Sequence, residues 1–263
     1  MMNRFSDRPA GLPVRIAIAA LLALTCCGPM ALAAQQNASE PRAEIQINLC
    51  AKPQDVIQGL ALQPDDAGPT EVWYFDTPGL ELNQRGLVFR LRRGDRKPEL
   101  TLKVANQDCT QTKSAWIPHS EGKCEYDNHG ALFSGTVSLT KTLDAETARA
   151  LTIGRLPLEK ALGPAQIAYL RDVISVWPLE SGTRPIGPMQ IQQFRANNSR
   201  FDVNVWKLPA GETYIELSEK TAFKDVLRRR SELLELLSRA GIAQCPDQAG
   251  QGIDRLRLLL NPR

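Results

Sequence analysis

A two-residue alternation of basic and apolar side chains between Leu87 and Val104 constrains the fold of this chain most strongly. In LVFRLRR the leucines and the phenylalanine share one face, and Arg90 and Arg92 lie on the other. In ELTLKV the apolar residues alternate with a face that carries Lys103. A period of two predicts β-strands whose two faces meet different surroundings. An ordinary sheet with arginines on its solvated face also alternates, so the spacing alone leaves a wet sheet and a cationic cavity open.

The order of short motifs around these strands narrows the choice. YFDT at 74–77 is followed by Gly86, by the R-x-R of Arg90 and Arg92, and by a T-L-K that ends at Lys103. This order resembles the CYTH superfamily, the triphosphate tunnel metalloenzymes. The resemblance implies an α+β fold, an antiparallel β-barrel or tunnel of about eight strands with helices packed outside. It also implies that Arg90, Arg92 and Lys103 bind phosphate, which suits guanidinium forks and a lysine point charge.

Two later segments resemble the same family. The run Tyr214–Ser218 is similar to the family's late acidic strand, with Glu216 facing inward. The run Ile253–Leu256 is similar to its terminal strand, although Gln251-Gly252 stands where the family has Ser-Lys. The resemblance therefore implies Glu216 as a metal ligand and Arg255 as a further phosphate ligand.

The first strand departs from the family pattern. Its signature is ExExK, in which two carboxylates hold a divalent cation and the lysine contacts phosphate, but this chain has Glu44, Gln46 and Asn48 at those positions. One acid is replaced by an amide, and the lysine is replaced by asparagine. Because Mg²⁺ is commonly held by one or two carboxylates plus phosphate oxygens, Glu44 and Glu216 are expected to bind Mg²⁺ or Mn²⁺ weakly. No organic cofactor is expected.

Three functions remain open at this point. The first is a CYTH-like tunnel protein that binds a phosphorylated polyanion of the polyphosphate or triphosphate type and is catalytically weakened or inactive. The second is an active Mg²⁺- or Mn²⁺-dependent triphosphatase or polyphosphatase that hydrolyses a phosphoanhydride. The third is a structural or interaction protein that uses the barrel only as a scaffold, with its lumen cations neutralised internally.

The N-terminal residues 1–33 are typical of a cleaved secretory signal peptide. Three arginines precede the apolar run Ile16–Leu24, and Ala31–Ala33 offers a small-x-small cleavage site. Lipid attachment at Cys26 or Cys27 is the alternative. A linker at 34–43 and a CYTH-like domain at 44–263 follow, and the mature protein is expected in the periplasm or outside the cell.

The charge balance limits the range of partners. The chain carries a net charge of +3, which falls to +1 without the three arginines and one aspartate of residues 1–33. Such a balance argues against an extended nucleic-acid surface, so any positive field is local. The expected partner is an anionic phosphorylated ligand. No nucleic acid is expected as a partner. No membrane span is expected either, because the apolar run of the signal is too short to cross a bilayer comfortably.

Four cysteines remain after removal of the signal peptide: Cys50, Cys109, Cys124 and Cys245. An even number in an exported chain predicts two disulfides, and sequence leaves three pairings open. The favoured pairing is Cys109–Cys124 with Cys50–Cys245. Cys109 and Cys124 bracket a short polar connection. Cys50 closes the first predicted strand, and Cys245 follows the last long helix.

Apolar periodicity and turn residues predict the other elements. Strands are expected near 44–50, 71–76, 86–93, 99–105, 133–139, 189–195, 200–206 and 212–218. Helices are expected near 54–62, within 143–176 and near 221–240, the last ending at Gly241. The arginine run 228–230 is interpreted as the solvated face of that helix or as a polyanion-binding patch.

Overall fold

The protein is described by a computed structural model that covers residues 40–112, 122–246 and 248. The strands within these residues are β1 Arg42–Leu49, β2 Gln63–Pro64, β3 Thr70–Asp76, β4 Leu87–Arg93, β5 Glu99–Val104, β6 Gly122–His129, β7 Leu132–Thr142, β8 Arg184–Arg195, β9 Phe201–Lys207 and β10 Thr213–Ala222. The α-helices are α1 Pro53–Gly59, α2 Glu81–Gln84, α3 Ala145–Thr152, α4 Leu158–Ala161, α5 Pro164–Ala168 and α6 Val226–Arg239. A π-helical turn at Tyr169–Val173 continues α5, and a 3-10 turn at Phe223–Asp225 precedes α6.

Nine of these strands close into a barrel. They pair in the order β8-β3-β4-β5-β7-β6-β1-β10-β9, and β9 returns to pair with β8. The short β2 lies outside the ring and pairs with the end of β8. The predicted α+β barrel with helices outside is confirmed, but its ring has nine strands. The ring is also mixed rather than purely antiparallel, because β1 and β6 run parallel.

β6 is the barrel strand that the predicted elements omit. Its sequence, GKCEYDNH, is polar and charged, and composition of this kind is typical of a connection rather than a strand. In the structure it pairs with β7 along its whole length and with the first half of β1. Pairing with two neighbours and a polar barrel interior hold this segment in a strand.

The outer wall of the barrel is apolar and covered by helices. On one side, α3, α4 and α5 pack on a continuous cluster from β4, β5 and β7 that includes Leu87, Phe89, Leu91, Leu100, Leu102, Val137 and Leu139. Gln166 of α5 strengthens this contact, since its side chain donates to the backbone carbonyls of Leu100 and Leu139, each at 3.0 Å. On the other side, α6 packs on apolar residues of β1, β9 and β10. Burial of each large apolar side chain contributes about 1.5–3 kcal/mol.

Because the helices cover the apolar face of each strand, the other face points into the barrel. In β1, Ile45 and Ile47 pack outward and are fully buried, so Glu44, Gln46 and Asn48 point inward. In β4 the same parity directs Arg90 and Arg92 inward. This barrel therefore has a polar, charged interior and an apolar exterior.

One sector of the interior is apolar instead. Val72 of β3 and Met189 of β8 pair in register and have no solvent exposure, although both face inward. Ile191, Trp206 and Leu208 complete this cluster. Since an interior side chain without exposure cannot border water, side chains fill the barrel on the β3, β8 and β9 side. The partly exposed interior residues lie on the polar and charged faces of the remaining strands.

Both favoured disulfides are confirmed. Cys109 is bonded to Cys124 with a Cα–Cα distance of 5.3 Å, which ties the segment after β5 to β6. Cys50 is bonded to Cys245 with a Cα–Cα distance of 4.8 Å, which ties the end of β1 to the segment after α6.

The segment after α6 completes the pairing of β1. β6 accompanies β1 only as far as Ile45, so the far half of β1 lacks that neighbour. Gln248 and Cys245 take its place at Asn48: the Asn48 N–H donates to Gln248 Oε1 at 2.9 Å, and the Cys245 N–H donates to the Asn48 carbonyl at 2.8 Å. The neighbouring disulfide holds this segment in position.

The arginine run at the start of α6 makes internal contacts. Arg229 binds both carboxylate oxygens of the nearly buried Glu219 at 2.7 Å, and Arg230 donates to the carbonyl of Gln46 at 3.2 Å. Arg228 pairs with Asp225 and Glu232. The run is therefore not a polyanion patch, and it is only in part a solvated face: Arg228 is exposed, whereas Arg229 is largely buried and Arg230 is buried. Among the described residues, none of the helices has the length and apolar character needed to cross a membrane.

Candidate functional site

Three predicted phosphate ligands meet on the interior face of two adjacent strands. Arg90 pairs with Thr101 and Arg92 pairs with Glu99, while Lys103 lies two residues further along β5. Residues paired in this way, and those two apart, share one face of the sheet. Asp76 is the last residue of β3, the strand that pairs with β4. Its carboxylate accepts hydrogen bonds from the N–H groups of Thr77, Leu82 and Asn83, which fixes this end of β3.

Among the described residues, no anionic side chain lies at bonding distance from these three cations. Within residues 40–112, 122–246 and 248, neither an ion pair nor a side-chain hydrogen bond is made by Arg90, Arg92 or Lys103. The Nε of Arg90 is also buried without a hydrogen-bond partner among these residues. A buried donor left unpaired costs about 1–3 kcal/mol. Such a donor marks a place where an acceptor would bind favourably.

Mutual repulsion and burial lower the pKa values of Arg92 and Lys103. The charge of Arg90, and secondly desolvation, lower the pKa of Arg92 to about 10. Burial, and secondly the charge of Arg90, lower the pKa of Lys103. The Arg92 side chain is nevertheless exposed, and Arg90 and Lys103 are partly exposed, so solvent reaches this face. An anion bound here would relieve the repulsion.

Carboxylates face the cations from other strands. Glu44 of β1 pairs with Asp127 of β6, and Asp127 accepts a hydrogen bond from Thr136 Oγ1 at 2.8 Å. The negative charges of Asp127 and Glu44 act on Lys103 and partly offset the lowering of its pKa. The lumen therefore carries positive and negative groups on facing walls.

The predicted metal ligands Glu44 and Glu216 both face the lumen but are not neighbours. Glu44 pairs with Lys220, whereas Glu216 pairs with Asn48, four positions away along β1. At 3.3 Å per residue, this offset places their backbones about 13 Å apart along the strands. Asp127 is the acid that lies beside Glu44. Two carboxylates can hold Mg²⁺ together with phosphate oxygens, whereas no group of three or more metal-binding side chains occurs among the described residues.

Asn48, which occupies the lysine position of the ExExK pattern, has a structural role. Besides its backbone contacts, its Nδ2 donates to the Gln248 carbonyl at 3.2 Å, and Gln248 Nε2 donates back to the Asn48 carbonyl at 3.2 Å. The residue is almost fully buried. Asn48 thus joins β1 to the C-terminal segment. Because its side chain is neutral, it does not supply the lumen cation that the lysine of the ExExK pattern would supply.

We expect Asn48→Lys to destabilise the protein, because lysine cannot reproduce the amide contacts with Gln248 and would bring an ammonium into a buried position. The expected loss is about 1–3 kcal/mol in the free energy of unfolding, measured by urea denaturation. Gln46→Glu is the control on the same face, since the Gln46 side chain makes no such contact with described residues, and it should cost less. Equal or greater stability of Asn48→Lys would contradict the role assigned to Asn48.

Several lumen residues were not predicted. Lys123 and Glu125 alternate with Cys124 on β6, as Asp127 does with Tyr126, and Lys220 continues the inward face of β10 beyond Glu216. The signal for β6 was the same period-two alternation of charge, obscured by the polar outward residues. Arg255, predicted as a phosphate ligand, lies outside the described residues.

No model of a known protein family matches this sequence, and no curated protein matches it. Two solved structures are similar in fold. One is a candidate adenylyl cyclase from Hippeastrum with a dominant triphosphatase activity, 16% identical with a TM-score of 0.54, covering 81% of this chain and 93% of that one. The other is a candidate adenylate cyclase from Bacillus halodurans, 18% identical with a TM-score of 0.53, covering 81% and 97%. At these identities the likeness establishes the fold: this chain has the barrel architecture of those two proteins.

Proposed function

We propose that this protein binds a phosphorylated polyanion of the polyphosphate or triphosphate type in the lumen of its barrel and has weak or no hydrolytic activity. The observation that carries the proposal is the group Arg90, Arg92 and Lys103, three interior cations that repel each other and have no ion pair among the described residues. Three fixed cations on one enclosed face suit a ligand with several closely spaced negative charges.

The energetics support a ligand of this charge. A fully buried cation without a partner costs several kcal/mol relative to water, even after relaxation of the protein, and the partly buried Arg90 and Lys103 bear a fraction of this cost. A chain of phosphates would offset it and would also accept from the buried Nε of Arg90. The resemblance to the triphosphate tunnel metalloenzymes favours the same ligand chemistry, with Arg255 as a further contact.

The weakened activity follows from the first strand. Gln46 supplies no anionic metal ligand, and the Asn48 amide is engaged with Gln248. A Mg²⁺ or Mn²⁺ ion would rely on Glu44, with Asp127 beside it and Glu216 further along the lumen. Oxygen donors of this kind suit either ion. Phosphoryl transfer depends on positioning and charge neutralisation, so the loss of two such groups lowers the rate.

An active triphosphatase is the second candidate, and the Glu44–Asp127 pair is the observation that favours it. A rearranged metal site built on these two carboxylates would replace the missing acid of the first strand. A scaffold without ligand would require internal neutralisation of the lumen cations. Ion pairs of that kind involve Lys123 and Lys220, both with Glu125, and not Arg90, Arg92 or Lys103 within the described residues.

We infer that the protein acts outside the cytoplasm, on the basis of residues 1–33 and the two disulfides. Disulfides persist in oxidising compartments such as the periplasm and the cell exterior. Because ATP is scarce there, inorganic polyphosphate or another extracellular phosphorylated polyanion is the ligand we favour.

A phosphate-release assay separates the binder from the enzyme. We expect purified protein to release little or no phosphate from tripolyphosphate with Mg²⁺ or Mn²⁺. Gln46→Glu should raise the rate by up to about a hundredfold, because it restores a carboxylate on the lumen face of β1. Glu44→Gln in the Gln46→Glu background is the matched control and should remove that gain. Rapid metal-dependent turnover by the wild type, lost in Glu44→Gln or Asp127→Asn, would establish the enzyme instead.

A further inference from the structure

A second group of lumen cations lies around Glu125. The Glu125 carboxylate, whose side chain is only 11% exposed, pairs with Lys123 and also accepts from Lys220 Nζ at 3.3 Å. Both ammonium groups approach the same oxygen, Oε2, so one carboxylate serves two lysines. The lysine side chains are 49% and 43% exposed. The two lysines and Glu125 together carry one excess positive charge, and Glu44, which pairs with Lys220 across the β1–β10 ladder, lies beside them.

The register connects this cluster to the first cation group. Lys103 and Lys123 both pair with Ser138 of β7, one from each side, so all three share the interior face. Two strand spacings separate the two lysines, a distance of about 10 Å between backbones. The cations Arg92, Arg90, Lys103 and Lys123 therefore follow one another across neighbouring strands.

The same cluster lies at one mouth of the barrel. Lys123 is at the start of β6 and Lys220 is near the end of β10. Because β1 runs parallel to β6 and antiparallel to β10, the start of β6 and the end of β10 lie at the same end of the barrel. A chain held by Arg90 and Lys103 that continues across β7 toward β6 would meet Lys123 and, on the other side of Glu125, Lys220.

We infer that Lys123 and Lys220 form a distal subsite that binds the additional phosphates of a linear inorganic polyphosphate longer than tripolyphosphate. This inference rests on the proposed function and names its substrate class, a long phosphate chain. Glu125 holds the two lysines in place when no chain is bound and competes with the chain for them.

The lysine side chains are exposed enough to contact a ligand, because about half of each is accessible to solvent. Solvent screens the lysine ends of these ion pairs, whereas the nearly buried Glu125 carboxylate would be costly to leave without either lysine. The pKa of Lys123 is lowered, mainly by burial of its ammonium group, and the charge of Glu125 offsets part of this lowering. A further anion beside Lys123 would therefore hold the ammonium proton more firmly. A phosphate chain brings several oxygens with negative charge, whereas Glu125 provides one carboxylate for both lysines.

The test measures the affinity of the full mature protein for tripolyphosphate and for a long-chain inorganic polyphosphate in the same buffer. The concentration of each ligand is counted as its concentration of chain ends. We expect the long chain to bind the wild type at least about tenfold more tightly. Lys123→Gln with Lys220→Gln should remove most of this preference and leave tripolyphosphate binding within about twofold. The control pair Lys52→Gln with Lys160→Gln removes equal charge from the exterior, where both lysines are exposed, and should retain the preference.

Glu125→Gln gives an independent readout, because it frees both lysines without removing a cation. It should tighten the binding of the long chain severalfold and affect tripolyphosphate less. An unchanged preference in the Lys123→Gln, Lys220→Gln variant would overturn the distal subsite while leaving the proposed function intact. Absence of binding of both ligands to the wild type would overturn the proposed function and the subsite together.

Discussion

Replacement of both Arg90 and Lys103 by alanine is expected to weaken tripolyphosphate binding by at least a factor of about one hundred. Each residue would make charge-assisted hydrogen bonds to phosphate, worth about 1.5–3 kcal/mol apiece. At a ligand concentration about one hundred times the Kd, wild-type protein should gain about 2.7 kcal/mol of stability. For a domain of this size that gain raises the Tm by roughly 5–10 °C, and the variant should show almost no shift.

Arg149→Ala with Lys160→Ala is the matched control for this experiment. Both residues are exposed on helices outside the barrel, and the pair removes the same two charges. It should retain the full ligand-induced shift in Tm. Without ligand, the Arg90→Ala, Lys103→Ala variant should be at least as stable as the wild type, since it removes two mutually repelling cations. Equal stabilisation of the wild type and of that variant by tripolyphosphate would favour the scaffold hypothesis.

Loss of the Cys50–Cys245 disulfide is expected to have the largest effect on stability. The bond joins residues 195 positions apart, and in the chain-entropy model a long closed loop restricts the unfolded chain most. It also holds the segment that completes the pairing of β1 at Asn48. We expect Cys50→Ala with Cys245→Ala to lower the free energy of unfolding by about 2–5 kcal/mol. The Tm should fall by roughly 5–15 °C in a thermal melt.

The second disulfide provides the comparison. Cys109–Cys124 spans only 15 positions, so its removal constrains the unfolded chain less and should cost about 3 kcal/mol or less. We therefore expect Cys109→Ala with Cys124→Ala to melt above the Cys50→Ala, Cys245→Ala variant. The reverse order would show that the C-terminal segment contributes little to the closure of the barrel.

The two-residue alternation of apolar and charged side chains along the strands predicted most of the fold. LVFRLRR and ELTLKV predicted two-faced strands, and in the structure their apolar faces pack under α3, α4 and α5 while Arg90, Arg92 and Lys103 face inward. Period-two patterns are informative here because a barrel with helices outside and a wet lumen places different chemistry on its two faces. Residue pattern and motif order together thus predicted a barrel with a cationic interior face.

Other features depend on contacts between distant segments. β6 was missed because polar outward residues obscure the alternation of its inward charges, and because its strand state depends on pairing with β1 and β7. The role of Asn48 depends on Gln248, 200 positions away in sequence. The separation of Glu44 from Glu216, and the position of Asp127 beside Glu44, follow from strand register. Local residue patterns in a single sequence do not show which residues of two distant strands pair with each other.

Titration calorimetry of the wild-type protein with tripolyphosphate, at low and at physiological salt, tests the central claim most directly. That claim is that Arg90, Arg92 and Lys103 form an anion site inside the barrel. We predict saturable binding of one ligand per protein, with an affinity that falls as salt screens the charges. Absence of saturable binding at low salt would contradict the claim.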